Sequence, residues 1–109
     1  MISDNELSFK IINASCIEIV ENKTNREVNE LLVEELSELI KAAIKLQRWD
    51  NGETTLRYNI DEIHNNLYEE LADVNIMMLQ FIYKNKIEYR ELLNKMCKKL
   101  IRYYETKQE

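Results

Sequence analysis

Two short acidic stretches, each inside a long segment with helical periodicity, contain the residues of this chain that are best suited to chemistry. The first stretch contains Glu35 and Glu38, and the second contains Glu70 and Asp73. Residues three apart lie on one face of a helix, so each pair can direct its carboxylates toward the same point. Two such helices packed side by side would bring four carboxylates together.

The position of these acids relative to the apolar residues is unusual. At 100° per residue, the apolar side chains of the first segment cover an arc of about 220°. Glu35 falls inside that arc and Glu38 lies at its edge, whereas Glu34 points to the solvated side. In the second segment Glu70 lies among apolar residues and Asp73 borders them. Carboxylates in such positions are costly, and four that converge also repel one another.

Either protons or cations must offset this cost. Carboxylate oxygens are the ligands that hard divalent cations such as Mg²⁺ prefer. Two Mg²⁺ ions would neutralise four carboxylates. The sequence therefore predicts a metal-ion cluster at Glu35, Glu38, Glu70 and Asp73.

Length and composition indicate the class of fold that positions these acids. With 109 residues, the chain is expected to form a single domain, 1–109. One glycine, no proline, 45% hydrophobic and 32% charged residues favour an all-α protein. The apolar run 76–82 is too short to span a bilayer, and the first residues lack a basic stretch followed by an apolar one. We therefore expect a cytoplasmic protein that does not associate with membranes.

Charge and cysteine content exclude other classes of function. A net charge of −5 argues against general nucleic-acid binding, although a nucleotide can still bind through a metal on its phosphates. Cys16 and Cys97 lack the spacing of a thiolate zinc site or a disulfide framework, so both are expected to be buried free thiols.

Apolar periodicity predicts four helices, each preceded by a capping pair: Ser3 with Glu6, Thr24 with Glu27, Asn59 with Glu62, and Asn85 with Glu88. The predicted helices span residues 5–21, 25–49, 60–84 and 86–106, the last with Leu93, Met96, Leu100 and Tyr104 facing inward. Gly52 is the residue expected to leave the second helix with positive φ. Residues 50–59 form the one irregular segment long enough to act as a binding loop.

Four helices joined by short turns predict a four-helix bundle-like assembly. The apolar arcs are wider than one chain of this size can cover, so we expect oligomerisation to complete the bundle. The expected states are a homodimer or a homotetramer formed as a dimer of dimers.

The two acidic motifs together resemble a known family. Glu34-Glu35-x-x-Glu38 followed by Glu70-x-x-Asp73 is similar to the EExxE and ExxD signature of the MazG-like, all-α nucleotide pyrophosphohydrolases. The resemblance covers roughly residues 25–84. The 31 residues between Glu38 and Glu70 are more than is usual in that family.

The resemblance implies an activity and a role for each acid. Glu35, Glu38, Glu70 and Asp73 would bind Mg²⁺, or alternatively Mn²⁺. The enzyme would cleave a nucleoside triphosphate between its α- and β-phosphates, giving the monophosphate and pyrophosphate. Glu38 or Glu34 would take the proton from the attacking water.

Three further residues are possible substrate contacts. Trp49 could stack on a base or pack in the core, and Asn75 could bind a base or sugar edge or a neighbouring helix. Lys84 could contact phosphates or remain solvated.

Other functions remain open at this point. A phosphoribosyl-ATP pyrophosphohydrolase would share the chemistry, and a non-enzymatic helical interaction module would use the apolar arcs instead. A di-iron protein is disfavoured, because Asp61-x-x-His64 supplies only one of the two carboxylate-histidine pairs that such bundles need.

Overall fold

The computed structural model describes residues 3–53 and 59–107, which form four helices with no strand among them. The helices are α1 (Asp4–Glu21), α2 (Asn25–Asp50), α3 (Ile60–Lys84) and α4 (Tyr89–Lys107). The predicted all-α class is confirmed. None of the helices in this described part of the chain is both long and apolar enough to cross a membrane.

Three helices begin at the caps that the sequence predicts. The Ser3 side chain accepts a hydrogen bond at 3.2 Å from the backbone N–H three residues later. Thr24 and Asn59 do the same at the starts of α2 and α3, at 3.1 and 2.8 Å. Each bond satisfies one of the N–H groups that a helix start leaves without a helical partner. Gly52 follows α2 with φ 75°, as predicted.

The start of α4 differs from the prediction. Asn85 and Glu88 are a plausible capping pair in the sequence, but Asn85 ends α3 instead, and its side-chain amide donates to a carbonyl oxygen of the last turn of α3 at 2.9 Å. The next residue, Lys86, has φ 55°, in the left-handed region. A left-handed residue after the cap stops a helix. The fourth helix therefore starts at Tyr89 and not at about residue 86.

The two long helices, α2 and α3, pack against each other in opposite directions. Near one end, the Asn85 amide donates to Asn29 Oδ1 at 3.4 Å, and near the other, Lys45 and Ile63 line the same cleft. On each helix, two buried side chains that lie fourteen residues, or two heptads, apart line the seam between them. These are Val28 and Ala42 on α2, and Ile63 and Met77 on α3.

Helix α1 packs on α3, which is also the main partner of α2. Cys16 and Val20 are its buried residues. The Cys16 thiol donates to the Ile76 carbonyl oxygen at 3.8 Å, and Lys84 Nζ donates to the Val20 carbonyl oxygen at 3.2 Å. The Val20 carbonyl oxygen also accepts the Lys23 N–H at 3.0 Å, so the bond from Lys84 is an additional one that ties the last turn of α1 to α3.

Helix α4 buries none of its residues. Leu93, Met96, Leu100 and Tyr104, which were predicted to face inward, are all exposed, so this expectation is wrong for the single chain. Cys97 is exposed for the same reason, whereas Cys16 is a buried free thiol as predicted. One chain therefore forms a core of α1, α2 and α3, and its fourth helix does not close a bundle with them.

Candidate metal centre between α2 and α3

The packing of α2 on α3 brings three of the predicted acids together. One carboxylate oxygen from each of Glu35, Glu70 and Asp73 lies within 4.8 Å of the other two. Glu70 and Asp73 are one turn apart on α3 and share a face, and Glu35 faces them from α2. We call these three residues the acidic triad.

Two members of the acidic triad occupy seam positions. Glu35 lies seven residues after Val28 and seven before Ala42, and both neighbours are almost completely buried. Glu70 lies in the same way between the buried Ile63 and Met77. Residues seven apart lie on nearly the same line along a helix. Each of these two acids therefore occupies a seam position, and the seam positions seven residues before and after it hold apolar side chains.

The acidic triad lies at the edge of the helix interface. Glu35 and Glu70 are partly buried, whereas Asp73 is exposed. One side of the group is therefore the packed seam, and the other is open to water at Asp73.

The electrostatics of the acidic triad are unfavourable in the absence of a cation. Burial raises the pKa of the Glu35 carboxyl above its ordinary value, and the charges of Asp73 and Glu70 raise this pKa further. Glu34 and Glu38 add smaller contributions in the same direction. Desolvation and like charge both disfavour the ionised form of an acid, so a bound cation would offset both effects.

Glu70 provides a second indication of a cation. Its Oε2 atom is buried and has no hydrogen-bond partner within the described residues. A buried acceptor without a donor is costly, and most such atoms in folded proteins are satisfied by protein, water or an ion. Three carboxylates, one of them with an unsatisfied buried oxygen, fit a hard divalent cation such as Mg²⁺ or Mn²⁺.

The structure places the fourth predicted ligand, Glu38, outside the acidic triad. Glu38 is exposed, and its Oε1 pairs with Lys41 Nζ at 3.3 Å. Glu34, the other predicted base, is also exposed. Both still influence the site, since their charges contribute to the raised pKa of Glu35. Their roles as ligand and base stay predictions.

The predicted substrate residues lie apart from one another. Trp49 is partly exposed at the end of α2. Asn75 Nδ2 donates to the Leu71 carbonyl oxygen at 2.7 Å, within its own helix. Lys84 Nζ donates to the Val20 carbonyl oxygen in the last turn of α1. Their contacts with substrate also stay predictions. Residues 54–58 of the predicted binding loop lie outside the described residues.

A cleft near the acidic triad was not predicted. It has a volume of about 230 Å³ and is lined by Lys45, Glu62, Ile63 and Asn66. Asn66 precedes Glu70 by four residues, which places it on the same face of α3, one turn away. That spacing is the signal in the sequence that could have identified it.

The chain matches no family model, no curated protein and no solved structure.

Proposed function

We propose that this protein is a Mg²⁺-dependent nucleoside triphosphate pyrophosphohydrolase, which cleaves its substrate between the α- and β-phosphates to give the monophosphate and pyrophosphate. The observation that carries the proposal is the convergence of Glu35, Glu70 and Asp73 at the seam between α2 and α3. The resemblance of the two motifs to those of MazG-like enzymes supports the same activity.

The acidic triad would hold the cation, with Mn²⁺ as a possible substitute for Mg²⁺. When bound, such a cation would neutralise charge on the phosphates and lower the pKa of the attacking water. Glu35 and Glu70 would be held in place by the packed seam. Asp73, on the open side, would face the incoming phosphates together with the cation.

Glu38 would accept the proton from the attacking water. It lies one turn after Glu35 and is exposed. Its ion pair with Lys41 is on the surface, and such pairs contribute little to stability. The Glu38 carboxylate can therefore leave Lys41 and turn toward the acidic triad, either as a fourth ligand or as the base. Glu34 is the alternative base.

The cleft beside the acidic triad would take part of the nucleotide. Its volume of about 230 Å³ is below the range of roughly 300–1,000 Å³ that holds a whole drug-sized ligand. It would therefore accommodate the base or the sugar while the phosphates extend toward Asp73. The proposal also retains a cytoplasmic location, no nucleic-acid partner, and a homodimer or homotetramer.

Pyrophosphate release tests the proposal. The purified chain is incubated with a panel of ribo- and deoxynucleoside triphosphates and phosphoribosyl-ATP, with Mg²⁺, Mn²⁺ or a chelator. We expect metal-dependent release of pyrophosphate from nucleoside triphosphates. Phosphoribosyl-ATP as the sole substrate would instead favour the related enzyme that shares this chemistry.

Variants locate the activity at the acidic triad. Glu70→Gln and Asp73→Asn each remove one charged ligand and should lower kcat on the order of 10²–10³-fold, the effect of losing one strong electrostatic contact in a catalytic site. The matched control is Glu69→Gln, which removes an exposed acid adjacent to Glu70 and should keep full activity. Full activity in both triad variants would contradict the proposal.

The exposed apolar face of α4 favours a second candidate, a non-enzymatic helical interaction module in which the acids are incidental. Such a module would release no pyrophosphate from any member of the panel. It would also show no metal-dependent rise in melting temperature, because no cation would bind its folded state.

A further inference from the structure

The cleft beside the acidic triad is lined by one apolar and three polar side chains. Ile63, which is buried, supplies an apolar wall, and Lys45, Glu62 and Asn66 supply the polar groups. An ionised Glu62 offers only hydrogen-bond acceptors, Lys45 offers only donors, and Asn66 offers both. In ligand sites, apolar walls contribute contact area and a few polar groups decide which ligand fits. The polar lining therefore determines which base the cleft can accept.

The cleft and the acidic triad are connected along α3. Glu62, Asn66 and Glu70 follow one another at intervals of four residues, so they lie on successive turns of the helix. The eight residues from Glu62 to Glu70 correspond to a rise of about 12 Å. A nucleoside triphosphate in an extended conformation can span that distance. With its phosphates at the acidic triad, its sugar passes Asn66 and its base reaches Glu62.

Glu62 is tied to the start of α3 by two hydrogen bonds. Its Oε1 accepts from Asn59 Nδ2 at 3.1 Å, and its backbone N–H donates to Asn59 Oδ1 at 2.8 Å. A carboxylate has two oxygens and about four lone-pair sites, so the bond from Asn59 leaves acceptor capacity for a ligand. Glu62 is therefore an oriented acceptor at the end of the cleft farther from the acidic triad.

Guanine is the standard base that matches a carboxylate best. Its Watson–Crick edge carries two adjacent donors, N1–H and the N2 amino group, next to the acceptor O6. A carboxylate can accept both donors at once, and such paired bonds to a charged group are strong and specific. Adenine, cytosine, uracil and thymine each have an acceptor beside the donor on this edge. A carboxylate that bonds to their donor therefore brings its second oxygen close to another acceptor.

We infer that the cleft selects guanine nucleotides, with Glu62 accepting from N1–H and the N2 amino group and Lys45 donating to O6. A lysine ammonium has three donors, so it can donate to O6 and to a second acceptor at the same time. The inference rests on the proposed function, which places the phosphates at the acidic triad. It adds the base that the substrate carries.

Analogues of the substrate test the two bonds to Glu62. The value of kcat/KM for pyrophosphate release with Mg²⁺ is measured on GTP, ITP and ATP. ITP keeps N1–H and O6 but lacks the N2 amino group, so it loses one bond to a charged acceptor. We expect ITP to fall below GTP on the order of 10–100-fold. ATP should fall lower still, because its N1 acceptor would face the carboxylate.

A variant of Glu62 shows whether this side chain is the source of the preference. Glu62→Gln keeps the size but replaces one acceptor with a donor, so it should remove the preference for GTP over ITP while activity on ITP remains. The cap of α3 should persist, because Asn59 accepts from the backbone N–H of residue 62. Asp61→Asn is the matched control. Asp61 is exposed and does not line the cleft, so this variant should keep the preference.

Binding of the monophosphates needs no turnover and separates this inference from the proposed function. Calorimetry with Mg²⁺ compares GMP with AMP on the wild-type chain and on Glu62→Gln. The wild-type chain should bind GMP more tightly than AMP on the order of 10–100-fold, for the same reason as above. Glu62→Gln should lose that difference, and Asp61→Asn should keep it.

Different results would overturn the two proposals. Release of pyrophosphate at equal kcat/KM from GTP, ITP and ATP, or an unchanged preference in Glu62→Gln, would overturn the selection of guanine and leave the proposed activity in place. No release from any triphosphate would contradict the proposed activity. In that case, equal binding of GMP and AMP would overturn this inference as well, whereas selective GMP binding that Glu62→Gln abolishes would support it.

Discussion

Glu35 and Glu70 each replace an apolar side chain in a seam that repeats every seven residues. Their neighbours one heptad away, Val28, Ala42, Ile63 and Met77, are all buried. The sequence alone identified both acids as misplaced, because a carboxylate inside an apolar arc is visible from periodicity. It could not show that Glu38 would turn to Lys41, since a rotamer at the edge of an arc is decided by local contacts.

The charge on Glu35 should make the metal-free chain sensitive to pH. The pKa of Glu35 is raised in the folded state, so the folded chain holds the proton more tightly than the unfolded chain does. The stability that comes from this protonated carboxyl is fully present below the ordinary pKa of 4.5, and it is lost as pH rises through the raised value. Urea unfolding in the presence of a chelator should therefore show the free energy of unfolding falling over that interval.

Removing the carboxylate should remove this dependence. Glu35→Gln should flatten the fall and make the metal-free chain more stable than wild type at neutral pH, at the expense of metal binding. Glu69→Gln, outside the seam, should keep the wild-type slope. A wild-type slope in Glu35→Gln would show that Glu35 is not the group responsible.

At the scale of the elements, the starts of α1, α2 and α3 could be predicted from the sequence, whereas the start of α4 could not. Ser3, Thr24 and Asn59 each cap a helix by accepting a hydrogen bond from the N–H three residues later. Such a cap depends only on neighbouring residues, so the sequence is enough to predict it. Asn85 carries the same signal but caps the end of α3, because Lys86 adopts a left-handed conformation that the sequence gives no reason to expect.

Gly52 and Lys86 end α2 and α3 with the same left-handed turn, so they form a matched pair for mutation. Lys86 has φ 55°, which is unfavourable for a residue with a Cβ atom, and Lys86→Gly should raise the free energy of unfolding by about 1 kcal/mol. Gly52→Ala should lower it by about 1 kcal/mol. A Cβ at Gly52 would meet no atom within 4 Å, so this loss would come from the backbone alone. Chemical denaturation measures both; opposite signs are expected, and equal signs would contradict the turn assignment.

At the scale of the whole molecule, wide apolar arcs predict that helix faces are covered but not which chain covers them. Only eight side chains of the described residues are buried, and none of them belongs to α4. The inward face predicted for α4 is therefore absent from the single chain. Amphipathic periodicity is the same for contacts within a chain and between chains, so the sequence could not distinguish the two.

Formation of the proposed homodimer or homotetramer should make thermal stability depend on concentration. Binding of a second copy to the folded state raises the melting temperature as the chain concentration increases. We expect this rise for wild type and its absence for the Leu93→Asp, Leu100→Asp double variant. Calorimetry over a hundredfold range of concentration measures it, and a constant melting temperature for wild type would contradict the proposed oligomer.

The central claim is that Glu35, Glu70 and Asp73 form a site for a divalent cation, and thermal unfolding with and without Mg²⁺ tests it most directly. Mg²⁺ at a hundred times its dissociation constant should stabilise the wild-type chain by about 2.7 kcal/mol. The Glu35→Gln, Glu70→Gln double variant should show no such gain, while Glu69→Gln should retain it. No gain in the wild-type chain, or an equal gain in the double variant, would contradict the claim.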